Sequence, residues 1–257
     1  MSQNFLVDEQ VLKSMVSAAN LSQKDCVLEI GAGLGTLTKA LLDTGSEVFA
    51  IEKDKKLASY LQYLKNEKLH IIIQDCRSID LQALFNNRRI KVLANLPYHL
   101  TGWLLRRLVP CSKQISTIHF MMQKEVAERC TAQVKSKHYS ALSLFIQYYS
   151  NAQLLCKIPA SSFYPKPRVD SAILQLELKD SSFIKFPYIP LFTLIQKAFQ
   201  KKRKMLRSSL REIAPPHEIE RALTSIGAAP TGRPQHLTLQ EVAKLIEMLC
   251  KNDKIHT

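Results

Sequence analysis

Apolar and polar positions follow two periods along this chain. Over residues 5–20 the apolar positions recur at helical spacing, at Leu6, Val11, Leu12, Met15, Val16 and Ala19. Short apolar runs follow: "CVLEI" (26–30), "EVFAIE" (47–52), "LHIIIQD" (69–75), "IKVLAN" (90–95) and "ISTIHFMM" (115–122). Helical patterns such as "TLTKALLDTG" (36–45) separate most of them, with Gly45 as the expected C-terminal cap. Alternation of strands and helices predicts βαβ units and a parallel sheet covered by helices on both faces. "ALSLFIQYY" (141–149) is expected to run from helix into strand, and the alternating "AILQLEL" (172–178) to be the last strand. Near residue 180 the character changes. "KDSSFIKFPYIP" (179–190) reads as a linker and everything beyond it as helix. The expected organisation is an α/β domain over 1–180 and a small all-helical domain over 181–257.

Charge adds a class of partner. The 257 residues carry a formal net charge of +14, with 46% hydrophobic and 23% charged residues. That hydrophobic fraction supports an ordinary folded core, whereas the positive excess favours a polyanion such as nucleic acid. Residues 185–257 hold 13 Lys and Arg against 6 Asp and Glu, so half of the excess lies in the helical part. The six cysteines are scattered with no C-x-x-C pair, which excludes a zinc knuckle and a disulfide framework and points to free thiols in a reducing, cytoplasmic setting. No metal site is expected. Asp8, Glu9 and Lys13 interrupt any secretory signal, and no apolar run approaches the ~20 residues of a membrane helix.

The candidate chemistry sits at the strand ends. "VLEIGAGLG" (27–35) is a strand running into a glycine turn. A dinucleotide fingerprint needs its third glycine at position 36, which is Thr36; the glycines are Gly31, Gly33 and Gly35. An acidic residue followed by this G-x-G-x-G form is the pattern of S-adenosylmethionine enzymes. Glu52 closes the second strand, where a carboxylate can accept both hydroxyls of a ribose. Its neighbours Lys53 and Asp54 read as surface charges. Asp75 closes the third strand, and either accepts from an adenine amino group or caps a helix. Asn95 closes the fourth and is followed by Leu96, Pro97 and Tyr98. A lone Asn before Pro is most simply a turn; with Tyr98 beside it and four strand ends converging, "NLPY" becomes a candidate site for an amino group.

These stretches also carry a family resemblance. "QNFLVD" (3–8), "VLEIGAGLGTLT" (27–38), "NLPY" (95–98), "MMQKEVAER" (121–129), "FYPKPRVDSAIL" (163–174) and "AFQKKRKMLRSSL" (198–210) occur in one order almost end to end. In this the chain resembles the small-subunit ribosomal RNA adenine N6,N6-dimethyltransferases. Relatives that dimethylate large-subunit RNA share the first five motifs more loosely and generally lack the basic last one.

The resemblance implies a Rossmann-like class I methyltransferase sheet, S-adenosylmethionine as cofactor, and transfer to two adjacent adenosines near the 3′ end of small-subunit RNA. Asn4 and Leu6 would help close the cofactor site, Gly31, Gly33 and Gly35 line it, Glu52 hold the ribose and Asp75 the adenine. Asn95 would lie between the methionine side and the target amine, with Leu96 and Pro97 shaping the loop. Tyr98 and Phe163 would sandwich the target base. Lys201, Lys202, Arg203, Lys204, Arg207 and Arg211, expected on one amphipathic helix, would contact RNA phosphates. The implied partner is an assembling 30S-type particle, met by a monomer. Two other readings remain: the large-subunit enzyme type, and an assembly factor that acts mainly by binding. His99 and Tyr164 depart from the family's usual residues. The family also precedes "QNFL" with a short basic lead, where this sequence has Met1 and Ser2.

Overall fold

The computed structural model describes residues 4–180 and 188–250. The strands are β1 (Phe5–Leu6), β2 (Cys26–Ile30), β3 (Glu47–Glu52), β4 (Leu69–Ile73), β5 (Ile90–Asn95), β6 (Ile115–Gln123), β7 (Ser150–Ile158), β8 (Phe163–Tyr164) and β9 (Ser171–Leu178). The helices are α1 (Glu9–Ala18), α2 (Thr36–Leu42), α3 (Lys55–Leu61), α4 (Leu81–Phe85), α5 (Thr101–Leu108), α6 (Lys124–Cys130), α7 (Ala141–Tyr149), α8 (Tyr188–Gln200), α9 (Leu206–Ser209), α10 (Pro216–Ser225) and α11 (Leu239–Cys250).

The chain forms two compact units, one of residues 1–127 and 150–181, the other of 128–149 and 182–257. The first is built on a seven-stranded sheet in the order β4-β3-β2-β5-β6-β9-β7, flanked by helices. β4 to β6 are parallel, as the alternation of strand and helix predicts. β9 then pairs antiparallel with both β6 and β7, so the sheet is mixed rather than wholly parallel. β2 is buried at all five positions and β5 at four of six, which explains their unbroken apolar runs. Gly45 takes a left-handed φ of 79° and donates to the Leu42 carbonyl at 2.9 Å, ending α2 as its position suggested.

The second unit is helical. Its core gathers Leu144, Leu194, Leu206, Ile219, Leu223 and Leu245, all at most 1% exposed. Tyr139, buried among them, donates its hydroxyl to the Leu237 carbonyl at 3.0 Å. The sequence boundary at 180/181 did not anticipate that 128–149 belongs with these helices. α7 packs on α8 and α11 through its apolar face, and Phe145 meets Phe192 edge-on at 5.6 Å. The centre of the expected linker, 181–187, lies outside the described residues, and 188–190 already belong to α8.

His119 gives the first unit a pH dependence. It is 1% exposed in β6, and neither ring nitrogen has a hydrogen-bond partner among the described residues. Burial pushes its pKa down to about 4; the nearby Ala18 carbonyl opposes this, Lys91 adds repulsion, and Gln175 opposes it least. The fold thus favours the neutral ring over an unfolded chain with pKa near 6.5. That contribution is fully present above about pH 6.5 and is lost as pH falls toward 4. Relative to His119→Gln, wild-type unfolding free energy should drop by on the order of 3 kcal/mol between pH 7 and pH 4, measured by urea denaturation. Parallel pH profiles for the two proteins would contradict this account.

Candidate active site

The carboxyl ends of β2, β3, β4 and β5 open into one cavity of about 420 Å³ in the first unit. Open α/β sheets bind ligands at this edge. After β2 the chain turns through Gly31 (φ 76°), Gly33 (φ 58°) and Gly35 (φ 84°), conformations that side chains rarely adopt. The turn is pinned to β3, because the Gly31 and Ala32 N–H groups donate to the Ile51 carbonyl at 2.8 and 3.1 Å. Gly31 and Gly33 line the cavity, and Phe5 lies 3.5 Å from where a side chain on Gly33 would begin. Gly35 does not line it; it sits at the start of α2 against Leu61.

Glu52 is 5% exposed and doubly anchored. One carboxylate oxygen accepts the Gly33 N–H at 2.9 Å, the other the Asp54 N–H at 2.9 Å. Each oxygen keeps a lone pair for a further donor, which suits vicinal hydroxyls. Glu29 lies behind the glycine turn, buried, with the Thr38 hydroxyl donating to it at 2.6 Å. Burial pushes its carboxyl up to about 7.

Asp75 takes up the capping role and also reaches the cavity. It caps a 3₁₀ turn over Cys76–Ser78 by accepting the Arg77 N–H at 3.0 Å. The Arg77 guanidinium donates to both carboxylate oxygens and Lys53 to one, holding the carboxyl well below the usual range. Lys53 is therefore not a mere surface charge; it and Arg77 line the cavity. Asp54 is the N-cap of α3, a structural part.

Asn95, Leu96, Pro97 and Tyr98 also reach the cavity. The Asn95 side-chain amide donates to the Asn4 carbonyl at 3.3 Å, which leaves its oxygen as the unused acceptor. Leu96 is fastened to β6 through its N–H and the Met121 carbonyl at 3.0 Å. The Tyr98 hydroxyl lies 2.9 Å from Ser171 Oγ, which fixes the ring by its far end.

The N-terminal segment covers this edge by pairing with the "FYPKP" segment. In β1 and β8, Leu6 opposes Phe163 and Phe5 opposes Tyr164. Ser162 supports the junction by accepting the Val7 N–H at 2.9 Å and donating its hydroxyl to Asp8 at 2.9 Å. Asn4 and Leu6 line the cavity as expected, and so does Phe5, which sequence reasoning passed over although it stands between them in "QNFL". The alternation of β8 decides the fate of the second aromatic. Phe163 points inward, 4% exposed in the hydrophobic core, while Tyr164 points out at 73%. Phe163 does not line the cavity, whereas Tyr98 does.

The basic segment of the second unit also differs from its expected single helix. α8 ends at Gln200, 201–204 form a turn, and Met205 is extended (φ −64°, ψ 147°) before α9. Four adjacent cations place like charges at helical neighbours. The Leu206 N–H is also captured by the Gly232 carbonyl at 2.9 Å. Lys201, Arg203, Lys204 and Arg211 are exposed, whereas Arg207 is paired with Glu220 and Lys202 donates to the Lys137 carbonyl at 3.0 Å. Among the described residues no helix is long and apolar enough to cross a membrane.

Comparisons with known proteins give the family. The family model "Ribosomal RNA adenine dimethylase" matches residues 1–250. A "Ribosomal RNA small subunit methyltransferase A" of Protochlamydia amoebophila is 37% identical over 99% of this chain and 92% of its own length. One of that description from Clostridium botulinum is 36% identical over 97% and 92%. Among solved structures, a dimethyladenosine transferase from Plasmodium falciparum superposes with a TM-score of 0.80 at 26% identity, over 97% of this chain and 98% of that one. A 23S rRNA methyltransferase has the same fold, with a TM-score of 0.76 at 22% identity over 96% and 99% of the two chains. The chain belongs to the ribosomal RNA adenine dimethylase family.

Proposed function

We propose that this protein is an S-adenosylmethionine-dependent methyltransferase that converts two adjacent adenosines near the 3′ end of small-subunit ribosomal RNA to their N6,N6-dimethyl forms. It would act as a cytoplasmic monomer on an assembling small-subunit particle, without a metal. The observation that carries this reading is the convergence of Glu52, Asp75 and the Asn95–Tyr98 loop on one cavity. The relatives named small subunit methyltransferase A favour the small-subunit target over the large-subunit alternative.

The residues present fit the cofactor. Glu52, with one free lone pair on each oxygen, would hold two ribose hydroxyls. Asp75 would take the amino group of the base, and Asn4, Phe5 and Leu6 would cover the ligand. When bound, the cofactor supplies an electrophilic methyl group on a sulfonium.

The chain's own part is to orient the amine. An adenine amino group is a poor nucleophile, because its lone pair is delocalised into the ring. Acceptors for its hydrogens favour a pyramidal nitrogen with a directed lone pair. The Asn95 oxygen is one such acceptor, since Asn4 already occupies the amide NH₂. The Leu96 carbonyl would be the second, with Pro97 fixing the backbone between them. Tyr98 offers the stacking face for the flipped base, where stacking contributes ~1–3 kcal/mol. The nitrogen becomes acidic only after methylation, so its proton can pass to water without a strong base. Asn95→Ala should lower the rate by roughly 10²–10³, the scale of losing one transition-state hydrogen bond. Single-turnover kinetics would measure this, and wild-type-like turnover would remove Asn95 from the mechanism.

In the second unit Lys201, Arg203, Lys204 and Arg211 are the better candidates for phosphate contact, because Arg207 and Lys202 are already engaged. Replacing Lys201, Arg203 and Lys204 together with Gln should reduce the slope of log affinity against log salt by about 2, at ~0.7–0.9 per phosphate. An unchanged slope and affinity would rule out that role.

The decisive experiment offers labelled S-adenosylmethionine with unmethylated small subunits, large-subunit RNA and DNA, followed by nucleoside analysis. N6,N6-dimethyladenosine from small subunits alone is expected. Label in large-subunit RNA would move the protein to the other enzyme type. Tight small-subunit binding with no label anywhere would leave a binding factor and overturn the catalytic reading.

A further inference from the structure

The Asp75 carboxylate has no acceptor capacity left. A carboxylate offers about four lone-pair directions, two on each oxygen. Oδ1 accepts the Arg77 backbone N–H at 3.0 Å and Arg77 Nε at 3.0 Å. Oδ2 accepts Arg77 Nη2 at 2.7 Å and Lys53 Nζ at 3.0 Å. An amino group entering the cavity can reach Asp75 only by displacing a donor.

The four donors are not equally displaceable. The Arg77 backbone N–H is fixed in the turn that Asp75 caps. Lys53 makes one contact, on one oxygen. The Arg77 guanidinium blocks both oxygens at once, with the side-on fork that makes Arg–carboxylate pairs strong and directional. Its side chain is 55% exposed, so more than half of it faces solvent into which it can swing.

We propose that Arg77 is a specificity-determining gate of the nucleobase end of the cavity: its guanidinium holds Asp75 in the free protein and yields the carboxylate to the amino group of an adenosine-bearing ligand. The proposal rests on the cofactor reading above. A neutral amino group then replaces a charged fork, and ligand affinity is lowered by what that exchange costs. Purines lacking the amino group gain nothing from the exchange and leave the fork in place.

The test is calorimetric titration of the full chain with S-adenosylhomocysteine and with its inosine analogue, which carries a carbonyl where adenine has its amine. Arg77→Met should bind S-adenosylhomocysteine about three- to tenfold more tightly than wild type, the scale of losing a partly exposed ion-pair competitor. Arg77→Lys, which can hold only one oxygen, should fall between them. The inosine analogue should show no gain, so the preference for the amino-bearing ligand should widen by the same factor. Raising the salt should narrow the difference between wild type and Arg77→Met, because the competing pair is screened. Equal or weaker binding of S-adenosylhomocysteine by Arg77→Met would mean that the guanidinium supports the ligand, and would overturn the gate. An equal gain for the inosine analogue would overturn it too, by showing that the amino group is not what competes. If neither wild type nor variant bound S-adenosylhomocysteine, the cofactor reading would fail and the gate with it.

Discussion

The Glu52 carboxylate is the fastening on which the site depends. It spans from the end of β3 to the Gly33 N–H in the turn after β2 and to the Asp54 N–H at the start of α3. Hydrogen bonds to a charged group contribute about 1.5–3 kcal/mol each, and these two lie in a place only 5% exposed. Without them, among the described residues, the Ile51 carbonyl would be left to hold the left-handed glycines against β3. The same carboxylate faces the cavity, so one group both shapes the turn and presents the acceptor that the turn surrounds.

A second constraint acts from the other side. Two residues of β1 pair with two of β8, which is too little to be stable alone. Their pairing survives because it is bracketed. Asp8 caps α1 with one oxygen and accepts the Ser162 hydroxyl with the other. Phe163 and Leu6 meanwhile pack on the buried cluster that contains Met121 and Ile173. The cover over the cavity is thus anchored by residues more than 150 positions apart in sequence.

Much of this was legible before the structure. β2, β3 and β5 have the bounds their apolar runs predict, and Glu52, Asp75 and Asn95 reach one cavity as the strand ends require. What escaped was set by contacts distant in sequence. Periodicity cannot show that 128–149 joins the C-terminal helices, because its apolar face looks the same whichever partner covers it. It also missed β1 and β8, whose two residues carry no period. Phe163 was drawn to the site by its motif, yet strand alternation turns it to the core, and the aromatics that line the cavity include Phe5 and Tyr98. In 201–211 composition was read correctly and geometry was not. Clustered cations suggest a binding face, but the same repulsion works against the helix meant to display it.

The cavity also solves an electrostatic problem. Three carboxylates, on adjacent strands or at their ends, would repel one another in a half-enclosed space. Each is quieted by different means. Glu29, behind the turn, is pushed up to about 7 by burial, so near neutrality much of it carries a proton. Asp75, at the rim, is matched by two cations that can follow or leave it. Glu52, between them, is held by neutral backbone donors, one on each oxygen. Glu52 is thus the one of the three whose described partners are backbone N–H groups alone. Hydroxyl donors on a bound ribose would meet a carboxylate there, while an amino group at the rim would meet one already paired. The difference between those two ends, one preorganised and one contested, follows from which donors the chain supplies: peptide N–H groups that cannot move at Glu52, and long side chains that can at Asp75.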